Sequence, residues 1–125
     1  MKRGHVGPMV YGSPTEPLDE ECRTICDALN GLMGVETIAS CCGHGYARFR
    51  IYFETDRMED IKPVLDAISK HDHWEKWRVR VSMADYGDIY FILDGPQGMT
   101  AYLESVELAA YIDKHPVYLS DLVAK

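Results

Sequence analysis

The stretch that most constrains the fold runs from Ala47 to Phe53, where Ala47-Arg48-Phe49-Arg50-Ile51-Tyr52-Phe53 alternates with a period of two. A strand places such a pattern on two opposite faces. Ala47, Phe49, Ile51 and Phe53 are assigned to a core, and Tyr46, Arg48, Arg50 and Tyr52 to the other face. The same period returns from Trp77 to Met83 and from Ile89 to Asp94, with Ala84-Asp85-Tyr86-Gly87-Asp88 between them as a hairpin turn. It points Trp77, Val79, Val81, Met83, Ile89, Phe91 and Leu93 inward. Arg78, Arg80, Ser82, Tyr90, Ile92 and Asp94 point outward.

Four of the chain's seven arginines, Arg48, Arg50, Arg78 and Arg80, therefore share one expected face with several tyrosines. The chain carries a formal charge of −7, so this clustering runs against its overall balance. Guanidinium forks match phosphate and carboxylate, and tyrosine faces match a base or sugar. The other readings of such a face are a solvated sheet surface with arginine stems over apolar area, or a subunit interface.

Helical spacing surrounds these strands. Ser13-Pro14-Thr15-Glu16 has the form of a capping box, and Leu18, Cys22, Ile25, Leu29 and Leu32 follow as a stripe that stops at Asn30-Gly31. Asp19, Glu20 and Glu21 fall near the helix start, where the macrodipole favours acids. Cys22 and Cys26 are expected on or beside the buried stripe as small apolar groups rather than as a metal pair. A second helix begins around Thr55 to Asp60 and buries Met58, Ile61, Leu65 and Ile68, with Pro63 in its first turn. His71-Asp72-His73-Trp74 reads as a loop and Gly95-Pro96-Gln97-Gly98 as a turn. The next segment is either a strand over Met99 to Glu104 followed by a helix capped by Ser105, or one helix from Thr100, ending before His115-Pro116. Val117-Tyr118-Leu119 reads as a last extended piece, and residues 1–12 as an extended N-terminal arm.

Together these give an α+β fold over residues 1–125. The expectation is a single two-layer α/β sandwich with a mostly antiparallel sheet, helices on one face, and a helix-plus-hairpin pseudo-repeat. At 46% hydrophobic and 26% charged the chain can build one core without staples. No apolar run spans a membrane, and the basic Met1-Lys2-Arg3 is followed by Gly4-His5-Val6-Gly7-Pro8 rather than an apolar stretch. A cytoplasmic location and four reduced cysteines are expected. The acidic balance argues against general nucleic-acid binding.

The chemistry concentrates in Ser40-Cys41-Cys42-Gly43-His44-Gly45, between Val35-Glu36-Thr37-Ile38-Ala39 and the strand described above. Gly43 and Gly45 permit positive φ and close backbone approach. As a metal site, Cys41, Cys42 and His44 need a further ligand, for which His5, His71 and His73 are candidates. As a catalytic site, Cys41 or Cys42 would attack with His44 as base, though the spacing supplies no carboxylate to orient it. As a binding loop, the backbone and Ser40 would hold polar ligand atoms while His44 stacks or donates. The neighbouring arginines favour the last.

The S-C-C-G-H-G loop between two strands resembles that of small phage and prophage proteins, over about residues 31 to 53. It is similar, more distantly, to the S-x-S-C-S-G-R loop of the wybutosine-synthesising tRNA methyltransferase family, with Cys42 at a serine and His44 at an arginine of that pattern. The resemblance implies a nucleotide-like ligand. With a phage origin it implies a role in the host cytoplasm, sequestering a nucleotide immune signal. The expected function is non-catalytic binding of a nucleotide-derived small molecule by a homo-oligomer. The expected contacts are Ser40, Cys41, Cys42, Gly43, His44, Gly45, Tyr46, Arg48, Arg50, Arg78 and Arg80, with no cofactor assigned. The alternatives are a Cys/His-loop enzyme on a nucleotide or RNA, and a zinc-stabilised interaction module.

Overall fold

The computed structural model describes residues 19–70, 76–85 and 87–114. A 3₁₀ turn at Glu20–Cys22 leads into α1 (Arg23–Asn30), then β1 (Val35–Cys41), a 3₁₀ turn at Gly43–Gly45, and β2 (Arg48–Thr55). A 3₁₀ turn at Met58–Ile61 opens α2 (Lys62–Ser69), followed by β3 (Arg78–Met83), β4 (Ile89–Gln97) and α3 (Gly98–Asp113). The strands form one antiparallel sheet in the order β1-β2-β4-β3. That order is symmetric about the central β2–β4 pair. Each half is a helix followed by a hairpin whose second strand lies at the centre, and α3 is added to the repeat. The α+β sandwich with a helix-hairpin pseudo-repeat is the observed architecture.

Alternation on the central strands builds the core. Phe49, Ile51 and Phe53 of β2 and Phe91 and Leu93 of β4 meet Ile25, Leu29, Val64, Leu108 and Ile112 from the three helices in one cluster. Each large side chain removed from water this way contributes about 1.5–3 kcal/mol. Trp77 lies at the margin of this layer, edge-on to Phe49 at 5.6 Å, and its indole N–H donates to Glu104 Oε1 at 2.9 Å. Gly95 makes room for it, since a Cβ there would sit 2.6 Å from the Trp77 ring.

Several expected details are corrected. Regular α2 starts only at Lys62, which rotates its buried stripe onto Val64, Ala67 and Ile68 and leaves Met58 and Leu65 exposed. Val81, Met83 and Ile89, on the edge hairpin, are all exposed among the described residues. A period of two assigns a side of the sheet but not what covers it. Gly95-Pro96-Gln97 is strand, not turn: Arg50 pairs with Asp94 and Arg48 with Gln97, so Gly95 and Pro96 together oppose Phe49 in a bulge. A bulge tolerates a proline that has no N–H to give. Gly98 to Asp113 is one helix, which settles the two versions of that segment. The capping box at Ser13, the arm over 1–12, the His71–Trp74 loop and the Val117 segment lie outside the described residues.

The face away from the helices is less open than alternation implies. Ala39, Tyr52 and Ile92 form a second small buried cluster there, with Ile38 and Tyr90 packed against it. Among the described helices, none is long and apolar enough to cross a membrane.

Candidate functional site

The hexapeptide is half strand and half turn. Ser40 pairs with Ile51 and Cys41 with Arg50 across β1–β2, so the two residues point to opposite faces. Ser40 is buried on the helix side, close to Cys22 and Cys26. This orientation takes Ser40 out of reach of a ligand at the surface. Cys42 turns into the main core cluster, while Cys41 lies on the arginine side of the sheet. Adjacency in sequence has separated the two thiols.

The next three residues are all left-handed, with φ of 82° at Gly43, 53° at His44 and 88° at Gly45. Gly43 is required twice over: besides its φ, a Cβ would lie 3.0 Å from the Arg48 carbonyl oxygen. Gly45 has open space around it, so only its φ selects glycine. His44 accepts the conformation at a cost of about 1–2 kcal/mol. Strain of this kind persists where surrounding structure fixes it. The His44 N–H donates to Cys42 Sγ at 3.3 Å, its Nδ1 lies 3.8 Å from the same sulfur, and the Tyr46 and Ala47 amides donate to the Gly43 carbonyl at 3.1 and 2.9 Å.

Burial governs the thiols on the helix side. It raises the Cys42 thiol above the ordinary range, opposed by the His44 amide and the Tyr102 hydroxyl. The Tyr102 hydroxyl is itself pushed up to about 12, first by burial and then by its hydrogen bond to Cys42. Burial likewise pushes Cys26 up to about 11 and Cys22 higher still. A protonated thiol is a weak nucleophile, so the contact between Cys42 and His44 lacks the electrostatics of an activated pair.

Asp19 lies near the helix start, as expected, where it precedes the 3₁₀ turn in extended conformation (φ −58°, ψ 132°), and its Oδ2 accepts the Cys42 N–H at 3.0 Å. The two residues are 23 apart in the chain, and no local pattern joins them. One ligand atom each from Asp19, Cys41 and His44 lies within 4.8 Å of the others. His5, His71 and His73 lie outside the described residues.

The arginine face is organised by one carboxylate that sequence reasoning left out of the site. Asp94, only 2% exposed, accepts from Arg80 Nε at 2.6 Å through Oδ2. Arg78 Nε lies 3.8 Å and Arg48 Nε 4.0 Å from that same oxygen. Arg48 also donates to the Lys76 carbonyl at 3.2 Å. Asp94 Oδ1 is buried and has no hydrogen-bond partner among the described residues. Three guanidinium charges against one carboxylate leave the group positive, and each arginine stays about half exposed. Cys41, Arg50, Asp94 and Arg78 stand in one row across β1, β2, β4 and β3, which joins this group to the hexapeptide. Tyr46 is 77% exposed beside the His44 ring, with centroids 6.3 Å apart. The signal for Asp94 was present in the alternation: an acid placed outward amid arginines.

Comparison of the chain with protein-family models, curated protein sequences and solved structures finds no match.

Proposed function

We propose that this protein binds a phosphate-bearing, nucleotide-derived small molecule without turning it over. The observation that carries the reading is the convergence of Arg48, Arg78 and Arg80 on one oxygen of Asp94. The carboxylate holds three guanidinium groups together before any ligand arrives, which lowers the ordering cost of binding an anion. The surplus charge then meets phosphate, for which the fork geometry of arginine is suited. Tyr46 and His44 offer exposed rings at the end of the row for stacking. The buried, protonated Cys42 supports binding over covalent catalysis.

The loop's resemblance to phage proteins supports sequestration of a nucleotide signal as the biological role. A homo-oligomer belongs to the same proposal, supported by Met99, Leu103 and Val106, which α3 leaves exposed at positions i, i+4 and i+7.

Calorimetry against mononucleotides, linear dinucleotides and cyclic nucleotide signals tests the reading. At least one should bind, more weakly as salt is added, and Arg78→Ala should weaken it by about 1.5–3 kcal/mol. If every member fails to bind and the arginine variants only dissociate subunits in the ultracentrifuge, the face is an interface and the proposal is wrong.

A further inference from the structure

Two residues of the hexapeptide, with Asp19 beside it, have the chemistry of a metal site. Asp19 supplies oxygen, Cys41 sulfur and His44 imidazole nitrogen, and their ligand atoms lie within 4.8 Å of one another. Tetrahedral ligands around one zinc stand roughly 3.4–3.8 Å apart, given Zn–S near 2.3 Å and Zn–N or Zn–O near 2.0–2.2 Å. Closing the difference needs about 1 Å of side-chain movement. The His44 side, being exposed, can supply it.

The supporting contacts already orient two of the three ligands. The Gly43 amide donates to Cys41 Sγ at 3.4 Å, and the Cys42 amide donates to Asp19 Oδ2 at 3.0 Å. Outer hydrogen bonds of this type fix the direction in which a first ligand presents its lone pairs. The donors, Cys42 and Gly43, immediately precede His44, so one short turn of backbone serves all three ligands. The geometric objection to Cys41, Cys42 and His44 as a set, that neighbouring cysteines face apart, is met when Asp19 replaces Cys42. Cys42 then stays in the core.

We infer that Asp19, Cys41 and His44 form a three-ligand site for Zn²⁺, with its fourth position open toward solvent on the His44 side. A mixed oxygen, sulfur and nitrogen set of three protein ligands suits zinc better than magnesium or calcium, which prefer oxygen throughout. The inference shares His44 with the proposed ligand site, but the two fail separately, because metal uptake is read with no nucleotide present.

The test uses the full chain, stripped with a chelator and titrated with Zn²⁺ against a chromophoric competitor, then with Co²⁺ as a spectroscopic substitute. The expected result is one equivalent per chain and a Co²⁺ spectrum showing tetrahedral geometry and thiolate charge transfer. Cys41→Ser and His44→Asn should each weaken Zn²⁺ by at least about 10–100-fold, beyond what loss of a supporting contact does. Asparagine tolerates the left-handed backbone, so the second variant keeps the turn. Asp19→Asn retains an acceptor for the Cys42 amide and should weaken binding while circular dichroism stays native. Cys42→Ser should retain the thiolate charge-transfer band, because Cys41 supplies the sulfur, with at most the fall in affinity that follows from losing the sulfur that accepts the His44 N–H. Absence of stoichiometric metal uptake by the unaltered chain overturns the inference. So does loss of the cobalt spectrum in Cys42→Ser with its retention in Cys41→Ser.

Discussion

The two hairpins occupy equivalent places in the pseudo-repeat and differ in almost everything else. The turn between β1 and β2 holds two buried thiols, a left-handed histidine and amides that donate to sulfur. The turn between β3 and β4 is closed by plain backbone bonds, Ala84 N–H to the Asp88 carbonyl at 2.9 Å and Gly87 N–H to the Ala84 carbonyl at 2.8 Å. The first turn leans on α3, whose Gly98 lies near the Gly45 carbonyl, and its strand is largely covered. The second projects Val81, Met83 and Ile89 into solvent. A repeated scaffold thus supplies two similar frames, and packing against α3 and Asp19 sets one of them apart.

The contrast should break most sharply at the glycines. Gly43→Ala should destabilise by about 2–4 kcal/mol in urea unfolding, combining a left-handed penalty with a backbone clash. Gly87→Ala and Gly45→Ala meet nothing within 4 Å and should cost only the conformational part, about 1–2 kcal/mol. Equal losses at all three would erase the distinction between the turns.

Asp94→Ala comes next. Removing the carboxylate leaves three guanidinium groups facing one another, and a loss of about 2–3 kcal/mol is expected. That figure is below the buried-pair range because the arginines are about half exposed. Arg48→Ala should cost less than about 1 kcal/mol, since its partner keeps Arg80. Thermal and urea unfolding of both variants checks the order.

Cys22→Ser probes the helix side of the same loop. The side chain is fully buried, and a hydroxyl there should cost about 1–3 kcal/mol without altering ligand affinity.

The buried thiols give a pH signature that the second hairpin, which has no cysteine, cannot share. Burial holds the Cys26 thiol at about 11 in the folded chain against an ordinary 9.0. The folded state therefore keeps a proton that the unfolded chain loses first. This contribution is complete below about pH 9 and disappears as pH rises through 11. Chemical denaturation between pH 7 and 11 should show a late alkaline decline that Cys26→Ala reduces, and native Cys22 and Cys26 should resist alkylation at neutral pH.

The smallest effect on stability concerns α3. Leu103→Glu should change unfolding by no more than about 0.5 kcal/mol, because the side chain is exposed, while shifting sedimentation toward monomer. An unchanged sedimentation profile would remove α3 from the proposed subunit contact.

What the sequence determined by itself was periodic and local. Alternation at Phe49, Ile51 and Phe53 and again at Phe91 and Leu93 gave the core side of the sheet, because a strand has only two faces. The same rule grouped Arg48, Arg50, Arg78 and Arg80, and the glycines flanking His44 marked a turn needing positive φ. Tertiary structure decided what covers each face and what meets across it. Met58, Leu65, Val81 and Met83 are apolar at the right period yet exposed, since burial depends on the neighbouring element and not on the strand or helix that carries the residue. Pro96 read as a turn because a bulge is a property of two strands together. Asp19 joined Cys41 and His44, and Asp94 gathered three arginines, through contacts between segments far apart in the chain. Such pairings leave no local pattern, because they are fixed only when the helix layer and the sheet close on a common core.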